Sequence, residues 1–238
     1  MKLDILAITA HPDDVELCCA GTLMKHIDLG YSVGLVELTE GELGTRGNAP
    51  LRLKEARAAA DVMGIVVREN LGLPDGFFEN NRESQLAIAR MVRKYKPEIV
   101  IANAVIDRHP DHGRAAKLTS DACFIAGLVK VPTELDGNRQ EAWRPKAIYH
   151  IIQDYKLQPD ICVDVTPYME KRMKAIRCFG SQFYNPNSTE PESSISGKEF
   201  LDVIMAAARN FGRMIGVEFG EAFTVQRPVG VPDLIKLN

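Results

Sequence analysis

Ala10-His11-Pro12-Asp13-Asp14-Val15-Glu16 brings an imidazole and two adjacent carboxylates together. Nitrogen and carboxylate donors in that mixture suit a zinc-like ion, provided a further ligand arrives from elsewhere in the chain. The same residues make a good helix start, so one of the two aspartates is also expected to cap the helix that follows. A second cluster, Arg108-His109-Pro110-Asp111-His112, lies far downstream. Three of the five histidines fall in these two segments, whereas His26 and His150 lie inside a predicted helix and strand and read as structural.

If the two segments meet, His11, Asp14 and either His109 or His112 supply two nitrogens and a carboxylate, leaving one position for water. Neighbouring side chains cannot both face one ion without strain. Asp13 is therefore left as a general base beside that water. The histidine not used as a ligand would hold or protonate an oxyanion, with Asp111 fixing its ring. This inventory matches metal-assisted hydrolysis of an amide or ester. Residue types and spacing leave open which of His109 and His112 is the ligand.

Both clusters must be held at the same rim, and the surrounding pattern provides for this. Residues 3–9 form an apolar run that predicts a buried strand, and Leu17, Ala20, Leu23, Met24 and Ile27 have helical spacing. A strand over 31–38 leads into a glycine-rich polar loop, 39–50, and a helix over 51–64. A third strand over 65–71 is weakened by Arg68-Glu69-Asn70, and an amphipathic helix over 84–95 stops at Lys96-Pro97. The strand over 98–103 precedes the second cluster, and a helix over 113–129 follows it.

Beyond lie a loop with the only tryptophan (132–144), strands over 146–153 and 160–165, and a helix opened by Thr166-Pro167. A loop over 180–197, a last helix over 198–215 and an extended tail complete the chain. Alternating strands and helices predict one α/β domain over 1–238, Rossmann-like, with a mostly parallel sheet covered by helices on both faces. Ligands in such sheets bind at the carboxyl ends of the strands, where both clusters fall.

The formal net charge of −3 gives no reason to expect nucleic acid or an anionic membrane surface. No apolar run approaches the roughly 20 residues needed to span a bilayer. Met1-Lys2-Leu3-Asp4 leads straight into a strand, so no secretory signal is expected and the cytoplasm is the expected compartment. Five cysteines without CxxC spacing read as reduced side chains on element faces. A nucleotide-binding module is the competing use of this fold. Two carboxylates and no glycine fingerprint after the first strand argue against a pyrophosphate there.

AHPDD with Val15-Glu16, followed by RHPDH, resembles the zinc-dependent N-deacetylases of the LmbE/PIG-L type, which act on N-acetylglucosamine units in glycolipids, chitobiose and thiol cofactors. The Gly41-Glu-Leu-Gly-Thr-Arg-Gly47 loop and Ser181-Gln182-Phe183 fall in the family's order, and the resemblance covers nearly the whole chain. Asp107-Arg108 and the run 216–223 look most like the bacillithiol-biosynthesis deacetylases, which remove acetate from N-acetylglucosaminyl malate. Cys18-Cys19 depart from the small residues many relatives carry there.

The resemblance makes His11, Asp14 and His112 the metal ligands and Asp13 the base. It gives His109 the oxyanion or acid role and Asp111 the supporting one. It implies Zn2+, with Fe2+ or Co2+ also compatible with such a site, a small N-acetylglucosaminyl substrate and a trimer-based homo-oligomer, trimer or hexamer. An acidic malate group calls for arginines, and Arg52, Arg108 and Arg144 are the expected contacts. Glu42 and Gln182 are expected on the sugar hydroxyls.

Overall fold

Short apolar runs bounded by polar turns become the strands of a single large sheet. The computed structural model describes residues 1–231 and 233–235. The first half alternates strands with helical segments: β1 (Ile5–Thr9), α1 (Asp14–Cys18), α2 (Ala20–Asp28), β2 (Val33–Glu37), α3 (Ala49–Met63), β3 (Val67–Asn70), α4 (Arg82–Tyr95), β4 (Ile99–Ala102) and α5 (Pro110–Ala126). A small hairpin, β5 (Glu134–Leu135) and β6 (Asn138–Arg139), interrupts the segment expected to be all loop. Then come β7 (Ala147–Ile151), β8 (Ile161–Asp164), α6 (Met169–Arg177), α7 (Phe200–Met214) and β9 (Gly220–Val225).

The seven strands lie in the order β3-β2-β1-β4-β7-β9-β8. Pairing is parallel from β3 to β7, and β9 runs antiparallel between β7 and β8. This is the expected α/β class with a mostly parallel sheet. From β1 the chain moves outward to β2 and β3, then crosses back to lay β4 on the other side of β1. The connections after β1 and β4 thus diverge and open a crevice at their carboxyl ends. Register pairs Ile8 with Ala102, so the two chemical segments leave the sheet at one level.

Both faces are covered. Ile5, Ala7 and Leu35 pack with Leu23, Met24, Ala59, Met63 and Ile176 on one side. Leu6, Ile8, Val36 and Val100 pack with Ile88, Val92, Leu118 and Ala122 on the other. Each large side chain buried this way contributes about 1.5–3 kcal/mol, which makes the strand ends a rigid platform. Among the described residues no helix is long and apolar enough to cross a membrane.

Several elements differ from expectation for identifiable reasons. The helix expected over 17–29 is two helices, because Cys19 leaves helical geometry at φ −146°. The freed amides of Gly21 and Thr22 donate to Glu221 of β9 at 2.9 and 2.6 Å, a cap supplied from the far end of the chain. α5 starts three residues earlier than expected, with Pro110 in its first turn and His109 as its cap. Thr166 does not cap a helix: a 3₁₀ turn precedes α6, and the Thr166 hydroxyl accepts from the Phe219 amide at 3.1 Å. β3 is a strand despite Arg68, whose guanidinium meets Glu37 and Glu16 at 2.7 Å each.

Candidate metal centre and active site

The turn after β1 and the first turn of α5 face each other across the crevice. His112 Nε2 lies 3.1 Å from Asp14 Oδ1, and His11 Nδ1 lies 3.8 Å from Asp14 Oδ2. The three are nearly buried, at 8% exposure for His11, 3% for Asp14 and 9% for His112. His109 stands beside them, its ring centre 4.8 Å from that of His11 and 4.9 Å from that of His112. His11, His109 and His112 each present a nitrogen within 4.8 Å of the others.

The far nitrogens of the two flanking rings are already spoken for. His11 Nε2 lies 3.0 Å from Asp75 Oδ1 and 3.4 Å from Asp111 Oδ2. His112 Nδ1 lies 2.6 Å from Asp107 Oδ2. Each carboxylate accepts the proton of the nitrogen it meets, so His11 Nδ1 and His112 Nε2 are the nitrogens turned towards Asp14: protonated, they pair with it, and on losing that proton to a cation they offer it their lone pairs. Carboxylate, imidazole and a directed lone pair in this order suit a metal-ligating histidine, and the donor set fits a divalent ion. Asp75, Asp111 and His11 could also be grouped as donors. Their carboxylates, however, are engaged by the Leu43 and Gly76 amides and by Arg114.

The electrostatics agree. Burial opposes a charge on His11, yet Asp111, Asp75 and Asp14 push its pKa up to about 10. Burial likewise opposes charge on His112, while Asp14 and Asp107 push it up to about 9. Asp14 is held well below the usual carboxylate range, its burial outweighed by His112, His11 and Asn103. Desolvation works against Asp75 and Asp107 too, but their histidine partners hold each near 2. The pocket is thus built around concentrated negative charge that binds positive charge, as protons or as a cation.

Asp13 takes a separate path. Its φ of 114° lies in the left-handed region, unusual for a side-chain-bearing residue and costing about 1–3 kcal/mol. Its carboxylate meets Arg52 Nη2 at 3.0 Å. Arg52, in the first turn of α3, also donates to the carbonyls of Pro12 at 2.6 Å and Gly41 at 3.2 Å. Gly41 is obligatory: its φ is +67°, and a Cβ there would stand 2.0 Å from the guanidinium. Burial raises the Asp13 pKa to about 6 against the lowering pull of Arg52.

The expected aspartate cap is not formed. Neither α1 nor α2 has a side-chain cap on its own N-cap residue, and Asp14 accepts from the His11 amide at 2.9 Å. Asp111 is also reassigned: its carboxylate supports the ring of His11, and only its backbone amide reaches His109, donating to Nδ1 at 3.3 Å. That donation leaves the His109 proton on Nε2. Burial and the charges of His11 and His112 hold His109 below its ordinary pKa.

Of the expected substrate contacts, Arg108 and Gln182 line the cleft, which measures about 940 Å³, and Arg52 lines it while bound to Asp13. Arg108 is half-exposed at the rim and pairs with Asp154 at 2.7 Å. Gln182 donates to the Arg46 carbonyl at 2.8 Å, and Glu42 accepts from the Asp75 amide at 2.8 Å and supports that loop. Arg144 is not brought to the cleft. It lies over Phe124 at 4.5 Å and donates to the Phe124 carbonyl. His26 and His150 are structural as expected, bonded to the Thr22 and Asn103 carbonyls.

Asp75, Asp107, Asn103 and Gln153 are parts of the site that the sequence does not mark as such. Asp107 had a signal, since it lies just ahead of the histidine pair. Asp75 sits in a Pro-Asp-Gly turn whose local chemistry explains it fully, so nothing marked it.

Residues 6–123 match the sequence model of the GlcNAc-PI de-N-acetylase (PIG-L) family. The diacetylchitobiose deacetylase of Thermococcus kodakarensis is 30% identical over 189 residues, 75% of this chain and 70% of that protein. A probable N-acetyl-α-D-glucosaminyl L-malate deacetylase 2 of Bacillus anthracis is 27% identical over 75% of this chain and 81% of its own. Among solved structures, the conserved protein TT1542 of Thermus thermophilus superposes with a TM-score of 0.85 at 33% identity, over 97% of this chain and 98% of that one.

Proposed function

Because this chain belongs to the GlcNAc-PI de-N-acetylase (PIG-L) family of deacetylases, we propose that His11, Asp14 and His112 hold the divalent ion of an N-deacetylase acting on an N-acetylglucosamine conjugate. The supporting observation is the aim of the two imidazoles. Asp75 with Asp111, and Asp107, take the outer nitrogens, which leaves the inner ones facing Asp14. Zn2+, or Fe2+ in the same donor set, would when bound polarise the acetyl carbonyl and acidify a water molecule.

The chain's own residues do the rest. Asp13, pKa near 6 and fixed by Arg52, accepts the proton of the attacking water at neutral pH. His109, neutral with its proton on Nε2, donates to the oxygen of the tetrahedral intermediate. Protonated Asp13 then returns its proton to the leaving amine, and acetate and the free glucosamine nitrogen separate.

For the remainder of the substrate we read an acidic aglycone, L-malate in particular. Arg108 and Lys156 on the cleft rim support this, as does the relative from B. anthracis. The test is acetate release by metal-loaded protein from N-acetylglucosaminyl malate, diacetylchitobiose and free N-acetylglucosamine. The malate conjugate should have the highest kcat/KM. Preference for chitobiose would refute the acidic aglycone, and no release from any of them would refute the deacetylase reading for these substrates.

A further inference from the structure

Asp14 is gripped by two side-chain amides that follow different strands. Its Oδ2 accepts from Asn103 Nδ2 at 2.9 Å, and its Oδ1 accepts from Gln153 Nε2 at 3.0 Å. Asn103 follows β4 directly, and Gln153 follows β7 by two residues, so the sheet itself sets their spacing. Neither amide is free to turn over. Asn103 Oδ1 accepts from the Ala10 amide at 2.8 Å, which forces its NH2 towards Asp14. Gln153 Oε1 accepts from Asn103 Nδ2 at 3.0 Å and from the Ala104 amide at 3.1 Å, which does the same for Gln153. The backbone under Asn103 is pinned in turn, because its carbonyl accepts from His150 Nδ1 at 2.9 Å.

The residue types matter. A buried carboxylate needs donors on both oxygens or its desolvation goes uncompensated. Amides supply donors without adding charge, so they leave the negative charge of Asp14 available to a cation. A carboxylate at position 103 would set like charges at hydrogen-bond distance, and an apolar side chain there would orphan the Ala10 amide. Local chemistry elsewhere does not account for Gln153: it borders the cleft, where its Nε2 also stands 3.4 Å from His112 Nε2.

We infer that Asn103 and Gln153 form an amide clamp that holds Asp14 in its metal-ligating orientation, and that the clamp sets metal affinity. The inference rests on the reading of Asp14 and His112 as ligands. Both amides are positioning residues: they act through Asp14. Outer partners of this kind typically govern metal affinity by 10- to 100-fold.

The experiment measures zinc affinity of metal-stripped, full-length protein by competition with a chromophoric chelator, alongside the Tm of each stripped protein. Gln153→Met keeps volume and removes the donor at a half-buried position. Asn103→Ala removes the other donor. Zinc Kd should rise at least tenfold in both, with stripped Gln153→Met still unfolding in one cooperative transition and its Tm lowered only by the few degrees that the unpaired Ala104 amide costs. A change below threefold in Gln153→Met, or a weakened Kd accompanied by loss of the cooperative unfolding transition in that variant, would overturn the clamp. Failure of the parent protein to bind zinc would instead bring down the metal reading itself, so the two failures are told apart. Asn103→Ala folding poorly leaves Gln153→Met to decide.

Discussion

Asp107 accepts the Nδ1 proton of His112 at 2.6 Å, and that single bond decides which nitrogen of the ring faces Asp14. The same carboxylate accepts from the amides of Asp154 and Tyr155 at 2.9 and 3.1 Å. The loop after β7 is thereby tied to the first turn of α5, and the ring of His112 is aimed by a residue outside the motif that contains it.

Replacing Asp107 with Asn therefore loosens the aim without emptying the space. Metal affinity should fall roughly 10- to 100-fold, since outer-sphere carboxylates usually contribute that much. Competition titration of stripped protein measures it, and parental affinity would show that His112 needs no such partner.

Asp13 is bound by Arg52 whereas Asp14 meets His112, and this division of labour has a separable consequence. Asp13→Asn should retain the parental metal content while turnover drops about 100- to 10,000-fold. Elemental analysis and acetate release on the same preparation check both halves. Activity within tenfold of the parent would remove Asp13 from the base role.

The rim and the remote arginine also separate. Arg108→Ala should raise KM for an acidic N-acetylglucosaminyl conjugate about fivefold, the size expected for one exposed charge contact of about 1 kcal/mol. Arg144→Ala should leave kcat and KM unchanged, because its guanidinium lies on Phe124 away from the cleft. Steady-state kinetics on both variants decide the matter, and a larger effect at Arg144 would reverse the assignment.

Glu37 offers a test of stability against pH. Burial raises its pKa to about 7 against the opposing pull of Arg68, with Glu16 adding to the rise. A carboxyl whose folded pKa exceeds its unfolded value binds more protons when folded. Its contribution is complete below about pH 4.5 and is lost as pH climbs through 7. The loss is on the order of a few kcal/mol for a shift of this size. The parent should lose more Tm between pH 5 and 8 than Glu37→Gln does. Parallel Tm profiles would rule the effect out.

Much of this architecture is legible in the chain. Parallel strands buried on both faces read as unbroken apolar runs, so β1, β2 and β4 announce themselves, and the two histidine motifs follow β1 and β4. The meeting of His11 and Asp14 with one of His109 and His112 could be expected on that ground alone, and only the family resemblance pointed to His112. What is not legible depends on tertiary approach. Asp75 looks like an ordinary turn residue, and only folding brings it to His11. Asp111 sits next to His109 in sequence but serves His11, because the first turn of α5 points its side chain across the crevice. The break at Cys19 is stabilised by Glu221, which no local pattern around Cys19 encodes. β9 fills the gap between β7 and β8, and an antiparallel strand carries no address for its neighbours. Arg144 had a plausible charge, but its position is set by Phe124 and the end of α5.

The claim on which the rest depends is that His11, Asp14 and His112 together bind one divalent ion. Elemental analysis of parent, Asp14→Ala and His112→Ala proteins, each stripped, reloaded with zinc and desalted, tests it most directly. The parent should hold about one equivalent and both variants a small fraction of that. Full zinc in either variant, with Tm showing a folded protein, would contradict it.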